Sequence, residues 1–170
     1  MTTVAYQTGA EYVLGHCAKR LQAKVVRLPA PLYADAGTVA SLHKDSGISR
    51  ALQAGCTASA MMFGVGPVST STTLFEGSFL DTGMLDNLAS LGAVGEIGGR
   101  FFTETGSIVK TELQDRTVSV PLEDIRRCPG AMLLTGGAGK YQAALGVLLG
   151  GFANYLVCDL ACARWLLNQK

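Results

Sequence analysis

Short apolar runs alternate along the first part of the chain with segments whose apolar residues recur at helical spacing. Residues 3–6, 24–28 and 57–66 form such runs and predict strands, whereas residues 11–21 and 47–54 predict helices. The run TASAMMFGVG at 57–66 is apolar nearly throughout. This composition is typical of a strand that is covered on both faces of a parallel sheet.

The second half of the chain continues the alternation after a Ser/Thr-rich stretch at 67–80, which predicts a surface loop. The glycines and the turn residues Thr105 and Gly106 within 92–109 predict two short strands paired as a hairpin. The remaining predicted elements are a helix at 81–91, a short helix at 121–127, a strand at 131–135, a helix at 141–149, a strand at 154–159 and a helix at 160–170.

This order predicts one α/β domain over residues 1–170, a Rossmann-like fold with a mainly parallel sheet and helices on both faces. In such sheets, ligands bind beyond the carboxyl ends of the strands. Polar or glycine-rich breaks follow the predicted strands, at 7–9, 64–67, 95–99, 136–140 and Asp159. The sequence therefore predicts a pocket that these breaks line.

Composition narrows the class of protein. Of the 170 residues, 48% are hydrophobic and 16% charged, which indicates a folded domain. A formal net charge of +1 without a basic run offers no electrostatic footprint for nucleic acid. The five cysteines are odd in number and contain no CxxC pair, which favours a reduced, cytoplasmic protein.

The sequence contains no signal for a membrane-spanning helix, a metal site or a cofactor. The longest apolar stretch, at 144–157, carries glycines and an asparagine and is shorter than the roughly 20 residues that a membrane helix needs. His16 and His43 have no cysteines at ligand spacing, so we predict neither zinc nor another metal. We also predict no cofactor.

The stretch GGAGK at 136–140 resembles a nucleotide phosphate loop only in part. Leu134 and Tyr141 occupy the places of the first glycine and the Mg²⁺-binding hydroxyl of a Walker loop, which argues against nucleotide hydrolysis. Lys140 nevertheless follows Gly136 and Gly137 where a strand gives way to a helix. Backbone N–H groups at such a junction favour an anion, so we expect Lys140 to bind a phosphate rather than to lie solvated at the surface.

Glu96 lies between glycines at the end of a predicted strand. Its carboxylate could accept hydrogen bonds from sugar hydroxyls, act as a general base, or be an exposed turn residue. Arg100, between Glu96 and the end of the hairpin, is interpreted as a strand-surface residue. Asp159 is predicted to be an N-cap, and the hydroxyls of 69–73 are weak ligand candidates.

Four motifs, in this order and spacing, resemble the effector-binding domain of the SorC family of bacterial sugar-responsive transcriptional regulators. They are RLPAPLYAD, FGVG, GAVGEIGGRFFTETG and LLTGGAGKYQAALGVLLGGFANYLVCDLACARWLL. The resemblance implies a fold related to sugar-phosphate isomerases and glucosamine-phosphate deaminases, assembled as homodimers or homotetramers. It also implies that a sugar or sugar phosphate bound at the strand ends controls DNA binding by an attached helix-turn-helix.

The resemblance also assigns candidate ligand residues. Lys140 and the glycines before it match the family's GGxxK, and Glu96 matches its acidic residue after AVG. Gly64 and Gly66 match its GxG, and Gln7 falls in the loop after the first strand. A complete member carries a DNA-binding domain and a further phosphate-loop strand and helix before position 3, so we expect this chain to be a fragment whose DNA contacts belong to a domain outside it.

Two other functions remain open at this point. A sugar-phosphate isomerase or deaminase on the related fold would use Glu96 to shuttle a proton and Lys140 to hold phosphate or form a Schiff base. The sequence offers no second acid or base beside Glu96. A domain that only oligomerises and binds nothing is the third hypothesis.

Overall fold

The computed structural model describes residues 10–70 and 80–169. The helices are α1 (Ala10–Leu21), α2 (Ala36–Lys44), α3 (Ser46–Cys56), α4 (Thr82–Ser90), α5 (Leu122–Arg127), α6 (Tyr141–Leu149) and α7 (Leu160–Leu167), with short 3₁₀ helices at Glu112–Arg116 and Ala138–Lys140. The strands are β1 (Ala60–Phe63), β2 (Gly66–Pro67), β3 (Ala93–Ile97), β4 (Arg100–Thr103), β5 (Gly130–Thr135) and β6 (Tyr155–Cys158). Within these ranges, no helix is long and apolar enough to cross a bilayer.

The strands form two sheets of different kinds. β1, β5 and β6 make a parallel sheet in the order β1-β5-β6, while β2, β3 and β4 make an antiparallel sheet in sequence order. The α/β class with a parallel sheet is thus confirmed, and so is the antiparallel hairpin of β3 and β4. Because the three parallel strands run in one direction, the loops that follow them leave from the same edge of the sheet.

The main core holds the two sheets together through α6. Phe102 of β4, Leu133 of β5 and Val147 of α6 are fully buried beside Phe152, and the rings of Phe102 and Phe152 lie 5.6 Å apart between centroids. Fully burying each of these side chains contributes roughly 1.5–3 kcal/mol.

α6 packs closely on the antiparallel sheet because small residues line their contact. A Cβ placed on Gly95 of β3 would come within 2.7 Å of the Cβ of Ala143, and one placed on Gly146 would come within 2.9 Å of the Phe102 ring. β3 is thereby held against the helix that begins just after Lys140.

The described residues also form two smaller cores, the first of which includes Phe101 of the hairpin. One forms around Leu88 and Phe101, and the other joins α2 and α3 to Val118. The segment before α2 pairs with the chain near Val118: the Val118 N–H donates to the Leu32 carbonyl at 2.8 Å, and Tyr33 and Thr117 form an isolated antiparallel bridge. This pairing brings Tyr33 to the turn of the hairpin.

Residues 24–28 do not form the predicted strand. They are irregular, and Val26 is 60% exposed. A strand needs a ladder partner for its backbone groups, and within the described parts of the chain this segment has none. The predicted strand at 3–6 lies outside the described residues, and α2 is a helix that the sequence pattern did not predict.

Within residues 10–70 and 80–169, the second face of the parallel sheet, for which helices were also predicted, carries several exposed apolar side chains. Met62, Leu134, Tyr155 and Val157 alternate with core residues along the strands and are 38–57% exposed. Within residues 10–70 and 80–169 the apolar cover therefore lies mainly on the face that carries the main core.

Candidate functional site

The loop after β5 turns sharply at a glycine and leads into a short helix. Gly137 has a φ of +86°, in the left-handed region that glycine adopts without strain, and the short 3₁₀ helix Ala138–Lys140 follows before α6 begins at Tyr141. The N–H groups of Ala138 and Gly139 are at the exposed start of this helix and donate no hydrogen bond to the described residues. They belong to the N–H groups that a first helical turn leaves without an internal partner.

Lys140 closes this loop as the sequence predicted, at the junction of strand and helix. Its backbone N–H donates to the Gly137 carbonyl at 3.0 Å, and the residue is half-buried. An ammonium group next to exposed N–H groups of a helix start is electrostatically unfavourable on its own and becomes favourable when an anion lies between them.

Glu96 lies on β3 directly opposite Gly66 of β2. Its carboxylate accepts a hydrogen bond of 2.7 Å from the Gly99 N–H in the hairpin turn. Burial raises the pKa of Glu96, while the Gly99 hydrogen bond and the positive charge of Lys140 act in the opposite direction. The charge of Lys140 thus belongs to the electrostatic surroundings of this carboxylate.

The glycines of the GxG motif play different parts. A Cβ on Gly66 would lie 2.2 Å from Oε1 of Glu96, so the carboxylate occupies the space that a side chain at position 66 would need. A Cβ on Gly64 would lie no closer than 3.8 Å to any atom beyond its chain neighbours, the nearest being the Leu134 carbonyl oxygen. Gly66 therefore shapes the Glu96 site, and Gly64 lies beside the end of β5.

The structure brings most of the predicted site residues to one place. β2 contacts both β3, which carries Glu96, and the 3₁₀ helix that ends at Lys140. Gly136 and Gly137 form the start of the same loop. Gln7 lies outside the described residues.

Tyr33 is a residue of this site that the sequence reasoning missed. Its hydroxyl donates to the Gly99 carbonyl at 2.9 Å, while the Gly99 N–H is bonded to Glu96. Burial, and then the Glu96 charge, raise the pKa of Tyr33. Tyr33 thus fixes the turn that orients the Glu96 carboxylate, and only its place in the motif RLPAPLYAD signalled it.

Asp159 also takes part in the site. The predicted N-cap role is confirmed, since Oδ1 accepts from the Cys162 N–H at 2.7 Å. Oδ2 accepts a second hydrogen bond of 2.7 Å from the Gly137 N–H. These two backbone donors hold the pKa of Asp159 below its usual range.

Arg100 makes structural hydrogen bonds, and the sequence analysis had likewise left it out of the site. Its guanidinium donates to the Ser119 hydroxyl at 3.0 Å and to the carbonyls of Ser119 and Thr117 at 3.1 and 3.2 Å. These bonds tie β4 to the segment before α5.

A cavity of about 480 Å³ runs along β1 beside the site, lined by Met61, Phe63, Ile97 and Val120 among others. Gly64 and Gly98 border it, but Lys140 and Glu96 do not. Its apolar lining does not suit a charged sugar derivative. The described residues hold no cluster of three His, Cys, Asp or Glu side chains able to bind a metal ion.

Comparison with known proteins identifies the family. A family model described as "Putative sugar-binding domain" matches residues 2–168. The deoxyribonucleoside regulator of Bacillus subtilis is 34% identical over 143 residues, which cover 84% of this chain and 45% of the regulator. The chain spans about half the length of the curated relatives that it matches.

Solved structures agree with this result. A DeoR family transcriptional regulator from Listeria monocytogenes superposes with a TM-score of 0.83 and 26% identity, over 88% of this chain and 61% of that one. The full-length sorbitol operon regulator SorC from Klebsiella pneumoniae shares the fold with a TM-score of 0.81 and 21% identity, over 89% of this chain and 49% of that one. The chain thus belongs to the family of sugar-binding domains found in SorC- and DeoR-type bacterial transcriptional regulators.

Proposed function

We propose that this chain senses a phosphorylated sugar for a bacterial transcriptional regulator, with the phosphate at the loop 136–140 and the sugar hydroxyls at Glu96. The observation that carries the proposal is the placement of Lys140 between two exposed N–H groups that donate no hydrogen bond to the described residues and the half-buried carboxylate of Glu96. A sugar phosphate has an anionic end and a hydroxylated end, which match these two halves.

The phosphate half combines charge with directed donors. The N–H groups of Ala138 and Gly139 would donate to phosphate oxygens, and the Lys140 ammonium would neutralise part of the charge. Hydrogen bonds to charged groups contribute about 1.5–3 kcal/mol each. Removing the ammonium should therefore weaken binding by about 10- to 150-fold.

The hydroxyl half depends on a carboxylate that is already oriented. The Gly99 N–H holds one oxygen of Glu96, and Tyr33 holds Gly99 in turn. The other oxygen, Oε1, lies over Gly66 and is available as an acceptor for a sugar hydroxyl.

Binding is proposed to act on transcription through a DNA-binding domain outside this chain. The relatives are transcriptional regulators about twice as long as the matched segment. A net charge of +1 gives the chain itself no electrostatic footprint for DNA. A cytoplasmic location and assembly into homodimers or homotetramers are parts of the same proposal.

The enzyme alternative finds no support among the relatives, which are named as regulators. Saturable binding without turnover is what we expect. The enzyme alternative would be revived if the wild-type chain catalysed exchange of the sugar C2 proton with solvent and Glu96→Gln did not.

The proposal is tested by a thermal-shift screen of pentose and hexose phosphates beside the corresponding free sugars. A ligand that binds only the folded chain raises its stability by RT ln(1 + [L]/Kd). We expect a shift from a phosphorylated sugar in the wild type and in Lys110→Ala, whose lysine is exposed and lies by the second core. The shift should be lost in Lys140→Ala, and no shift from any member in the wild type would contradict the proposal.

A further inference from the structure

Asp159 connects the ends of two neighbouring strands with a single carboxylate. Oδ1 accepts from the Cys162 N–H in the first turn of α7, and Oδ2 accepts from the Gly137 N–H in the loop after β5. Both hydrogen bonds are 2.7 Å long. The donor residues are separated by 25 positions along the chain and share no element.

The second hydrogen bond is not needed for capping. Within residues 10–70 and 80–169, the aspartate caps Asp45 and Asp81 accept hydrogen bonds from N–H groups of the helices that they cap and from no other element. Asp159 has the same role at α7 and in addition reaches back to the loop that ends at Lys140.

The loop is built around this carboxylate. A Cβ on Gly136 would lie 2.8 Å from Oδ2 of Asp159, so the carboxylate takes the space of a side chain at that position. Gly137, whose N–H is the donor, has a φ of +86° and open space where its Cβ would be. Its backbone conformation is therefore not enforced by packing on that side.

We infer that Asp159 is a positioning residue that sets the conformation of the loop 136–140 and so aims the Ala138 and Gly139 N–H groups beside Lys140. The link to ligand binding rests on the proposed function, whereas the loop conformation can be measured without a ligand. Asp159 itself carries a negative charge and is not proposed to touch the phosphate.

Asp159→Asn separates the two roles. Asparagine caps helices about as well as aspartate, so its oxygen can keep the Cys162 hydrogen bond. Its NH₂ group then faces the Gly137 N–H, where two donors meet and the loop loses its acceptor. Asp81→Asn is the matched control, because among the described residues Asp81 accepts only the cap bond from the Met84 N–H.

The experiment compares backbone amide exchange and ¹⁵N–¹H spectra of wild type, Asp159→Asn and Asp81→Asn without ligand. We expect faster exchange of the Gly137 amide and shifted resonances for residues 138–140 in Asp159→Asn only, with the α7 amides unchanged. Unchanged spectra of the loop in Asp159→Asn would overturn the inference. Should Asp159→Asn fail to fold, Asp159→Ser keeps a good cap and is too short to reach Gly137.

A binding measurement on the same variants separates the two proposals. With the sugar phosphate that gives the largest wild-type shift, we expect Asp159→Asn to raise Kd at least tenfold and Asp81→Asn to leave it unchanged. An altered loop with unchanged Kd would overturn the link to binding. If the wild type binds no sugar phosphate, the proposed function fails, while the loop spectra still decide whether Asp159 positions the loop.

Discussion

Substituting Gly66 by alanine tests the packing that places the Glu96 carboxylate. The added Cβ would lie 2.2 Å from Oε1, and an ordinary contact needs about 3.4 Å, so the carboxylate must move by about 1.2 Å. A shift of this size breaks or distorts the 2.7 Å hydrogen bond from the Gly99 N–H. Losing a hydrogen bond to a charged group costs about 1.5–3 kcal/mol.

Gly64→Ala is the matched control for this substitution. Neither glycine has a positive φ, and a Cβ on Gly64 would make only ordinary contact, at 3.8 Å. Replacing glycine by alanine also stabilises a protein by about 0.4–1 kcal/mol through the unfolded chain, and this effect is common to both variants. The difference between them therefore isolates the displacement of Glu96.

Urea unfolding followed by the fluorescence of the single tryptophan, Trp165, measures this difference. We expect the free energy of unfolding of Gly66→Ala to be about 1.5–3 kcal/mol below that of Gly64→Ala. Sugar phosphate affinity should fall in Gly66→Ala alone. Equal stabilities within about 0.5 kcal/mol would refute the reasoning, because the carboxylate would then not be held where the structure has it.

Three further substitutions give sharp expectations. Burial holds the pKa of Glu96 above its ordinary 4.5, so the folded state binds this proton more tightly and stability falls as pH rises from about 4.5 through the raised pKa. Thermal unfolding between pH 4.5 and 7 should show a smaller fall in Glu96→Gln, and an unchanged profile would contradict the assignment. Tyr33→Phe removes the hydrogen bond to Gly99 and should lower the free energy of unfolding, measured in urea, by about 0.5–1.5 kcal/mol. Sugar binding should also become weaker, and unchanged binding would show that the turn does not need Tyr33. Phe102→Ala empties a fully buried site beside Phe152 and should cost about 3–5 kcal/mol in the same assay, whereas a cost below 1 kcal/mol would show that the core is not packed as described.

Local signals in the sequence predicted much of the fold. Helix α7 begins one residue after Asp159, which caps it as the sequence indicated, and α4 (Thr82–Ser90) lies within the helix predicted at 81–91. The position of Lys140 after a parallel strand follows the general rule for such sheets, whereas Glu96 lies on the antiparallel sheet, to which that rule does not apply. These features depend on a few adjacent residues or on a general rule of connection.

Features that depend on distant parts of the chain were not predicted. The contact of Tyr33 with Gly99 joins residues 66 positions apart, and nothing near Tyr33 in the sequence indicates its partner. α2 buries only Val39, so its apolar pattern was too weak to predict a helix. The strand predicted at 24–28 failed for the opposite reason: its apolar pattern is strong, yet the described chain offers no strand to pair with.

The central claim, that Lys140 recognises a phosphate, is tested most directly by a double-mutant cycle between protein and ligand. Isothermal titration calorimetry would measure the affinities of wild type and Lys140→Ala for one sugar phosphate and for the same sugar without its phosphate. We predict that Lys140→Ala weakens binding of the phosphorylated sugar by about 10- to 150-fold and leaves binding of the free sugar within about twofold. An equal loss for both ligands, or no loss for either, would contradict the claim.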